Sequence, residues 1–194
     1  MGQKGDKTKE LICHVAFELF AEKGFKDVTM QDICCKTGLS RGGLYRHFES
    51  TQQIFMEIVS GMMENQRDEF ADKIRCRVPA VAILEDVLKR YEDEMIDSGH
   101  SLSLAIYEFF SNPGIDGGGV SILQQYQASR AMWTGLIEYG ISTGEFMEVD
   151  PDAVFDVIVF SYQGVRMYSK LMTVGRDIPQ RITGQIRRLL MNEG

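Results

Sequence analysis

The stretch from Thr29 to Phe48 constrains this chain more than any other: two short helical segments meet at one glycine, and each opens on a residue suited to cap it. Thr29 with Asp32 three positions later is an acidic form of the capping box, in which the threonine oxygen takes a first-turn amide and the carboxylate reaches back to the threonine amide. An acid there also suits the positive end of the helix dipole. The segment stops at Gly38, because a reversal at positive φ costs least at glycine. Ser40 caps the next segment, which runs through Arg46. Ile33, Cys34, Leu39, Leu44 and Phe48 supply an apolar inner face, and the small side chain at 34 permits a close helix crossing. The spacing predicts a helix-turn-helix, with Arg41, Gly42, Gly43, Tyr45, Arg46 and His47 turned outward.

Net charge is −7 and the pI is about 5.0, which taken alone argues against a nucleic acid partner. The distribution reverses that inference. Residues 1–60 hold eight Lys/Arg and eight Asp/Glu, so the whole acidic excess lies beyond residue 60. From Lys36 to Phe48 the chain carries Lys36, Arg41, Arg46 and the titratable His47, and no acid. A compact basic face of this kind fits a major groove.

The remaining sequence reads as helix throughout. Leu11, Ile12, Val15, Ala16, Leu19 and Phe20 recur at the helical period from about Thr8 and stop at Gly24. Ser50 or Thr51 caps a long fourth helix carrying Ile54, Phe55, Ile58, Val59, Met62, Met63, Phe70 and Ile74. Five more follow, roughly 80–97, 100–111, 119–142, 151–173 and 178–192, divided by Gly, Pro and Asp. The expected fold is all-α with about nine helices: an N-terminal three-helix helix-turn-helix domain, 1–49, joined by the long helix 4 to a C-terminal helical ligand-binding and dimerisation domain, 50–194.

Several function classes lose support. The lysine-rich N-terminus has no apolar core of a leader, and no stretch approaches the roughly 18 apolar residues of a membrane span, so a cytoplasmic protein without a membrane partner is expected. His14, His47 and His100 lie in separate segments, with no phosphate loop and no HExxH motif. Neither an enzyme nor a metal or other cofactor is expected. Cys13, Cys34, Cys35 and Cys76 lack CxxC or zinc spacing and read as reduced thiols. A sensing role for adjacent Cys34 and Cys35 is the alternative, although neighbours on a helix point about 100° apart.

The run Val28-Thr29-Met30-Gln31-Asp32-Ile33, followed by Gly38-Leu39-Ser40-Arg41-Gly42-Gly43-Leu44-Tyr45-Arg46-His47-Phe48, resembles the signature of the TetR family of transcriptional regulators. The resemblance covers about Thr8 to Phe55, and beyond it only helix number and order agree. It implies that Thr29, Tyr45 and His47 clasp phosphates of a double-stranded DNA operator and that Arg41, Gly42, Gly43 and Tyr45 face its bases. Two positions depart from the family pattern. Thr51 stands where a lysine is frequent, and Gly43 where threonine, serine or alanine is usual. Arg41 is left to carry most of the direct reading, to a guanine edge.

A single helix-turn-helix reads too little DNA for high specificity, so a homodimer on a pseudo-palindromic operator is expected. The resemblance places the last two helices at the dimer interface, and Phe155, Ile158, Ile182, Ile186 and Leu189 are the residues expected there. It also implies a pocket for a small-molecule effector. Tyr91, Tyr107, Phe110, Trp133 and Tyr162 are its candidate lining, with Gln163 and Arg166 to orient the ligand. Eleven methionines suit an adaptable, lipophilic site. The function expected is that of a repressor released from its operator when such a molecule binds.

Overall fold

The computed structural model describes residues 3–64, 68–96, 101–112 and 122–191. Among the described residues ten helices follow one another: α1 (Gln3–Lys23), α2 (Met30–Thr37), α3 (Arg41–Tyr45), α4 (Thr51–Glu64), α5 (Ala71–Arg75), α6 (Ala80–Glu94), α7 (Ser103–Phe110), α8 (Ile122–Ser142), α9 (Pro151–Ser169) and α10 (Asp177–Leu190). Among the described residues there is no strand, and no helix is long and apolar enough to cross a membrane. The fold is all-α, as the periodicity requires.

The tenth helix comes from the expected long helix 4. Instead of running through Ile74, its apolar pattern is divided between α4 and α5. Asp68 is the cause on the α5 side: its Oδ1 accepts the amides of Phe70 and Ala71, both at 3.0 Å, and so opens a new helix. The start of α4 matches its cap signals, with Ser50 Oγ accepting the Gln53 amide at 3.2 Å and Gln53 Oε1 accepting the Glu49 amide at 2.7 Å.

The chain forms two compact units. One comprises α1 to α4 together with α7; the other comprises α5, α6 and α8 to α10. In the first, Ile12, Ala16 and Phe20 of α1 pack with Ile33, Leu44, Phe48, Ile54 and Phe55. Leu102, Ala105 and Phe109 join the same core from a part of the sequence fifty residues further on. Phe20, Phe25, Phe55 and Phe109 form one ring cluster, with neighbouring centroids 4.8 to 5.7 Å apart. Such contacts reward edge-on and tilted geometry beyond simple burial.

In the second unit Ile83, Leu84, Val87 and Leu88 of α6 pack with Trp133, Leu136 and Ile137 of α8, Phe155 and Ile158 of α9, and Ile186 and Leu190 of α10. Charged groups order its surface. Arg187 makes a two-pronged ion pair with Glu85, at 2.8 and 2.9 Å, and fully buried Thr183 donates to Glu92 at 2.5 Å. Glu85 and Glu92 stand seven residues apart on α6, and Thr183 and Arg187 four apart on α10, so each pair shares a helix face. In the acidic run Glu92-Asp93-Glu94, Asp93 meets Arg176 at 2.9 Å and Glu94 accepts the Tyr162 hydroxyl.

Candidate nucleic-acid interface

The turn between α2 and α3 is built from local hydrogen bonds. Asp32 Oδ2 accepts the Thr29 amide at 2.9 Å, and Thr29 Oγ1 accepts the Asp32 amide at 3.2 Å, completing the capping box. The Thr29 hydroxyl also donates to Asp32 Oδ2 at 2.5 Å. That side-chain bond, the Thr29 amide and the charge of Lys23 hold the Asp32 carboxyl below the usual aspartate range. At the other end Gly38, with φ +72°, donates its amide to the Cys34 carbonyl at 3.0 Å. Ser40 Oγ accepts the Gly43 amide at 3.1 Å and starts α3.

The inner face is dry: Ile33 and Leu44 are fully buried, Phe48 and Cys34 nearly so. This leaves Arg41, Gly42, Tyr45 and Arg46 exposed, with Gly43 and His47 partly so. Among the described residues neither Arg41 nor Arg46 has a carboxylate partner. Lys36 does: Glu18 of α1 lies 3.0 Å from its ammonium. The cationic face is thus narrower than the sequence count suggests and centres on α3. Thr29 is exposed too, but both its hydroxyl proton and its amide are already given to Asp32, so a phosphate at this helix end meets the first-turn amides that follow Thr29.

The seven residues expected to meet a ligand are not brought to one place. Tyr107 and Phe110 belong to α7 in the first unit, and Tyr107 is 61% exposed. In the second unit Tyr91 and Tyr162 pack at a tilt of 43° with centroids 4.4 Å apart, and the Tyr91 and Trp133 centroids are 5.9 Å apart. Arg166 lies over the Tyr162 ring and donates to its hydroxyl, which in turn donates to Glu94 Oε2 at 2.7 Å. Burial pushes the Tyr162 hydroxyl up, with Arg166 opposing it. Gln163 points to the surface. Glu94 is the member of this cluster that sequence reasoning missed, because its partner is 68 residues away.

A groove of about 800 Å³ runs elsewhere, between α1 and α4, over Cys13, Phe17, Ile58 and Met62, and none of the expected ligand residues lines it. Burial pushes the Cys13 thiol up to about 11, which keeps it protonated and unreactive. All four cysteines are free, Cys34 buried and Cys35 exposed. Of the residues expected between two copies, Phe155, Ile158 and Ile186 are at most 1% exposed and sit in the core of their own unit. Ile182 is partly buried, Leu189 is 42% exposed, and Val157, Phe160 and Tyr168 are the exposed large hydrophobic residues of α9.

An all-helical chain whose two short capped helices cross at a left-handed glycine and present an acid-free basic face is a DNA-binding transcriptional regulator of the helix-turn-helix class. Residues 12–58 match the model of bacterial regulatory proteins, tetR family. The helix-turn-helix region is thus similar to the TetR family of regulators, and the whole chain shares the fold of solved TetR-family regulators. Among its relatives is the HTH-type transcriptional repressor KstR2 of Rhodococcus jostii, 29% identical over 156 residues, which span 79% of this chain and 74% of that one. A TetR-family regulator from Agrobacterium tumefaciens has the same fold, with a TM-score of 0.79 at 15% identity, covering 97% of this chain and 100% of the other. A gamma-butyrolactone receptor described as ArpA-like matches with a TM-score of 0.63 at 18% identity, over 97% and 90% of the two chains.

Proposed function

We propose that the protein is a cytoplasmic, ligand-responsive repressor that holds a pseudo-palindromic operator as a homodimer and releases it when a small lipophilic molecule binds the C-terminal helices. The observation that carries this reading is the exposed face of α3, where Arg41 and Arg46 have no carboxylate partner among the described residues and Leu44 and Phe48 are buried behind them. Arg41 reads a base edge, with Gly42, Gly43 and Tyr45 beside it. Ser40 and Thr29 present helix N-termini to phosphates, Tyr45 and His47 clasp them, and Arg46 neutralises their charge.

The functional division into residues 1–49 and 50–194 is part of this proposal, with α4 and α7 as the portions of the second that pack into the core of the first. Contact with a second copy falls to Val157 and Phe160 of α9 and to Ile182 and Leu189 of α10, since Phe155, Ile158 and Ile186 are occupied within the protomer. The effector site is assigned to Tyr91, Trp133, Tyr162 and Arg166, and the gamma-butyrolactone receptor among the fold relatives supports an effector of low molecular weight. A coupling of about 1 to 3 kcal/mol between effector and operator gives a 5- to 150-fold loss of affinity, enough for induction.

The test is selection of binding sites from random duplex DNA by the full-length protein. Enrichment of a two-fold symmetric site, with affinity falling steeply with salt, is expected. Arg41→Ala should relax the preference at one base pair in each half-site, whereas Tyr45→Phe and His47→Ala should weaken all sequences alike. Recovery of no preferred sequence overturns the reading.

A further inference from the structure

Glu108 stands on the last turn of α7, and its carboxylate reaches back to the corner between α1 and α2. Its Oε2 accepts the Phe25 amide at 2.7 Å and the Lys26 amide at 3.1 Å. Both amides follow Gly24, whose left-handed backbone, φ +81°, ends α1. A Cβ on Gly24 would come within 2.6 Å of that same carboxylate oxygen, so glycine is required there by its neighbour as well as by its φ. The adjacent Phe109, fully buried, meets Phe25 edge-on at 4.8 Å and Phe55 at 4.8 Å.

An apolar ring contact tolerates sliding, whereas a carboxylate gripping two consecutive amides fixes both distance and direction. Thr29, which opens α2, lies three residues beyond Lys26. The bond therefore sets the point from which the helix-turn-helix departs. Along the chain α7 precedes α8, in the part of the sequence assigned to effector and dimer contacts.

We infer that Glu108 is a positioning residue for operator reading: its grip on the Phe25 and Lys26 amides fixes the orientation of the α2–α3 pair and passes any displacement of α7 to it. The inference rests on the dimeric repressor reading above, since orientation matters most when two heads must match one half-site spacing.

The experiment uses the full-length protein and the operator it selects, together with copies in which the gap between half-sites is lengthened or shortened by one base pair. Glu108→Ala removes the grip, and Glu108→Gln keeps one carbonyl acceptor without the charge. Amide exchange at Phe25 and Lys26 should accelerate about tenfold or more in Glu108→Ala, in keeping with a lost bond to a charged group, and less in Glu108→Gln. The preference for the selected spacing over the altered ones should fall about fivefold or more in Glu108→Ala, the scale of a coupling between sites, with partial rescue in Glu108→Gln. Equal loss of affinity for every spacing, or unchanged exchange at the two amides, overturns the inference. Failure of the wild-type chain to select paired half-sites instead overturns the dimeric reading, and the exchange rates still judge the grip.

Discussion

Glu145 caps a helix to which it does not belong: its Oε2 accepts the amide of Val81, in the first turn of α6, at 3.1 Å across 64 residues of sequence. The residue preceding α6 is Pro79, which offers no side-chain cap of its own. Burial pushes the Glu145 carboxyl up, but the amides of Val81 and Ala80 and the Thr143 hydroxyl outweigh it and hold the group below the usual glutamate range. A carboxylate with a depressed value stabilises the fold above its unfolded pKa, and that contribution disappears as pH falls through the folded one. Glu145→Ala should therefore cost about 1 kcal/mol near neutral pH, the usual penalty for a lost N-cap, which is a fall of roughly 2 to 4 °C in Tm for a chain of this size. Thermal melts of both proteins should converge as the pH is lowered below the glutamate range. A constant difference across that range would show that the loss is one of packing and not of the charged cap.

The same turn contains a second constraint. Phe146, 5% exposed, lies directly over Gly140, so a methyl group there would overlap the ring. The Gly140 carbonyl also accepts the amides of Glu145 and Phe146, at 2.9 and 3.0 Å, so backbone and ring are fixed together. Gly140→Ala, a change that favours helix in isolation, should destabilise the protein by about 1 to 3 kcal/mol through overpacking. Denaturant unfolding measures this directly, and Gly140→Ala paired with Phe146→Leu should recover part of the loss.

These two contacts show which features a single sequence reveals. The capping box at Thr29 and Asp32, the left-handed turn at Gly38 and the Ser40 cap all join residues within four positions, so spacing exposed them. Glu145 with Val81, Glu108 with Phe25, and Glu94 with Tyr162 join residues 64 to 83 apart, and nothing in their local surroundings signals a partner. The membership of α7 in the first unit was hidden for the same reason. On α9 the difficulty was different. Its sequence is apolar nearly all round, so periodicity could not decide that Phe155 and Ile158 turn inward while Val157 and Phe160 face out.

Arg77 holds the one left-handed backbone on a non-glycine residue among the described residues, at φ 57°. It closes α5, with its amide on the Ile74 carbonyl at 2.8 Å and the Val78 amide on the Lys73 carbonyl at 3.0 Å. A side chain in that region costs about 1 to 2 kcal/mol relative to glycine, while glycine returns part of this through greater freedom in the unfolded chain. Arg77→Gly should still stabilise the protein, by about 0.5 to 1 kcal/mol. Arg77→Ala, which keeps the Cβ, should give no such gain. Equal effects of the two substitutions in chemical unfolding would place the benefit in the lost charge instead of the backbone.

The recognition helix α3 is five residues long and contains adjacent glycines with different surroundings. Nothing lies within 4 Å of a Cβ built on Gly42, whereas one on Gly43 would stand 3.2 Å from the Ser40 Oγ that caps the helix. Replacing Gly42 by alanine should therefore recover the ordinary helix preference of about 0.5 to 1 kcal/mol. Gly43→Ala should recover less, because its methyl crowds the hydroxyl that accepts the residue's own amide. The exposed methyl of Gly42→Ala lies on the face assigned to the bases, so stability and DNA binding should move in opposite directions in that variant. Unfolding and operator binding measured on the two variants separate these effects: a rise in stability at 43 equal to that at 42 would remove the crowding argument, and undiminished operator affinity in Gly42→Ala would remove Gly42 from the reading face.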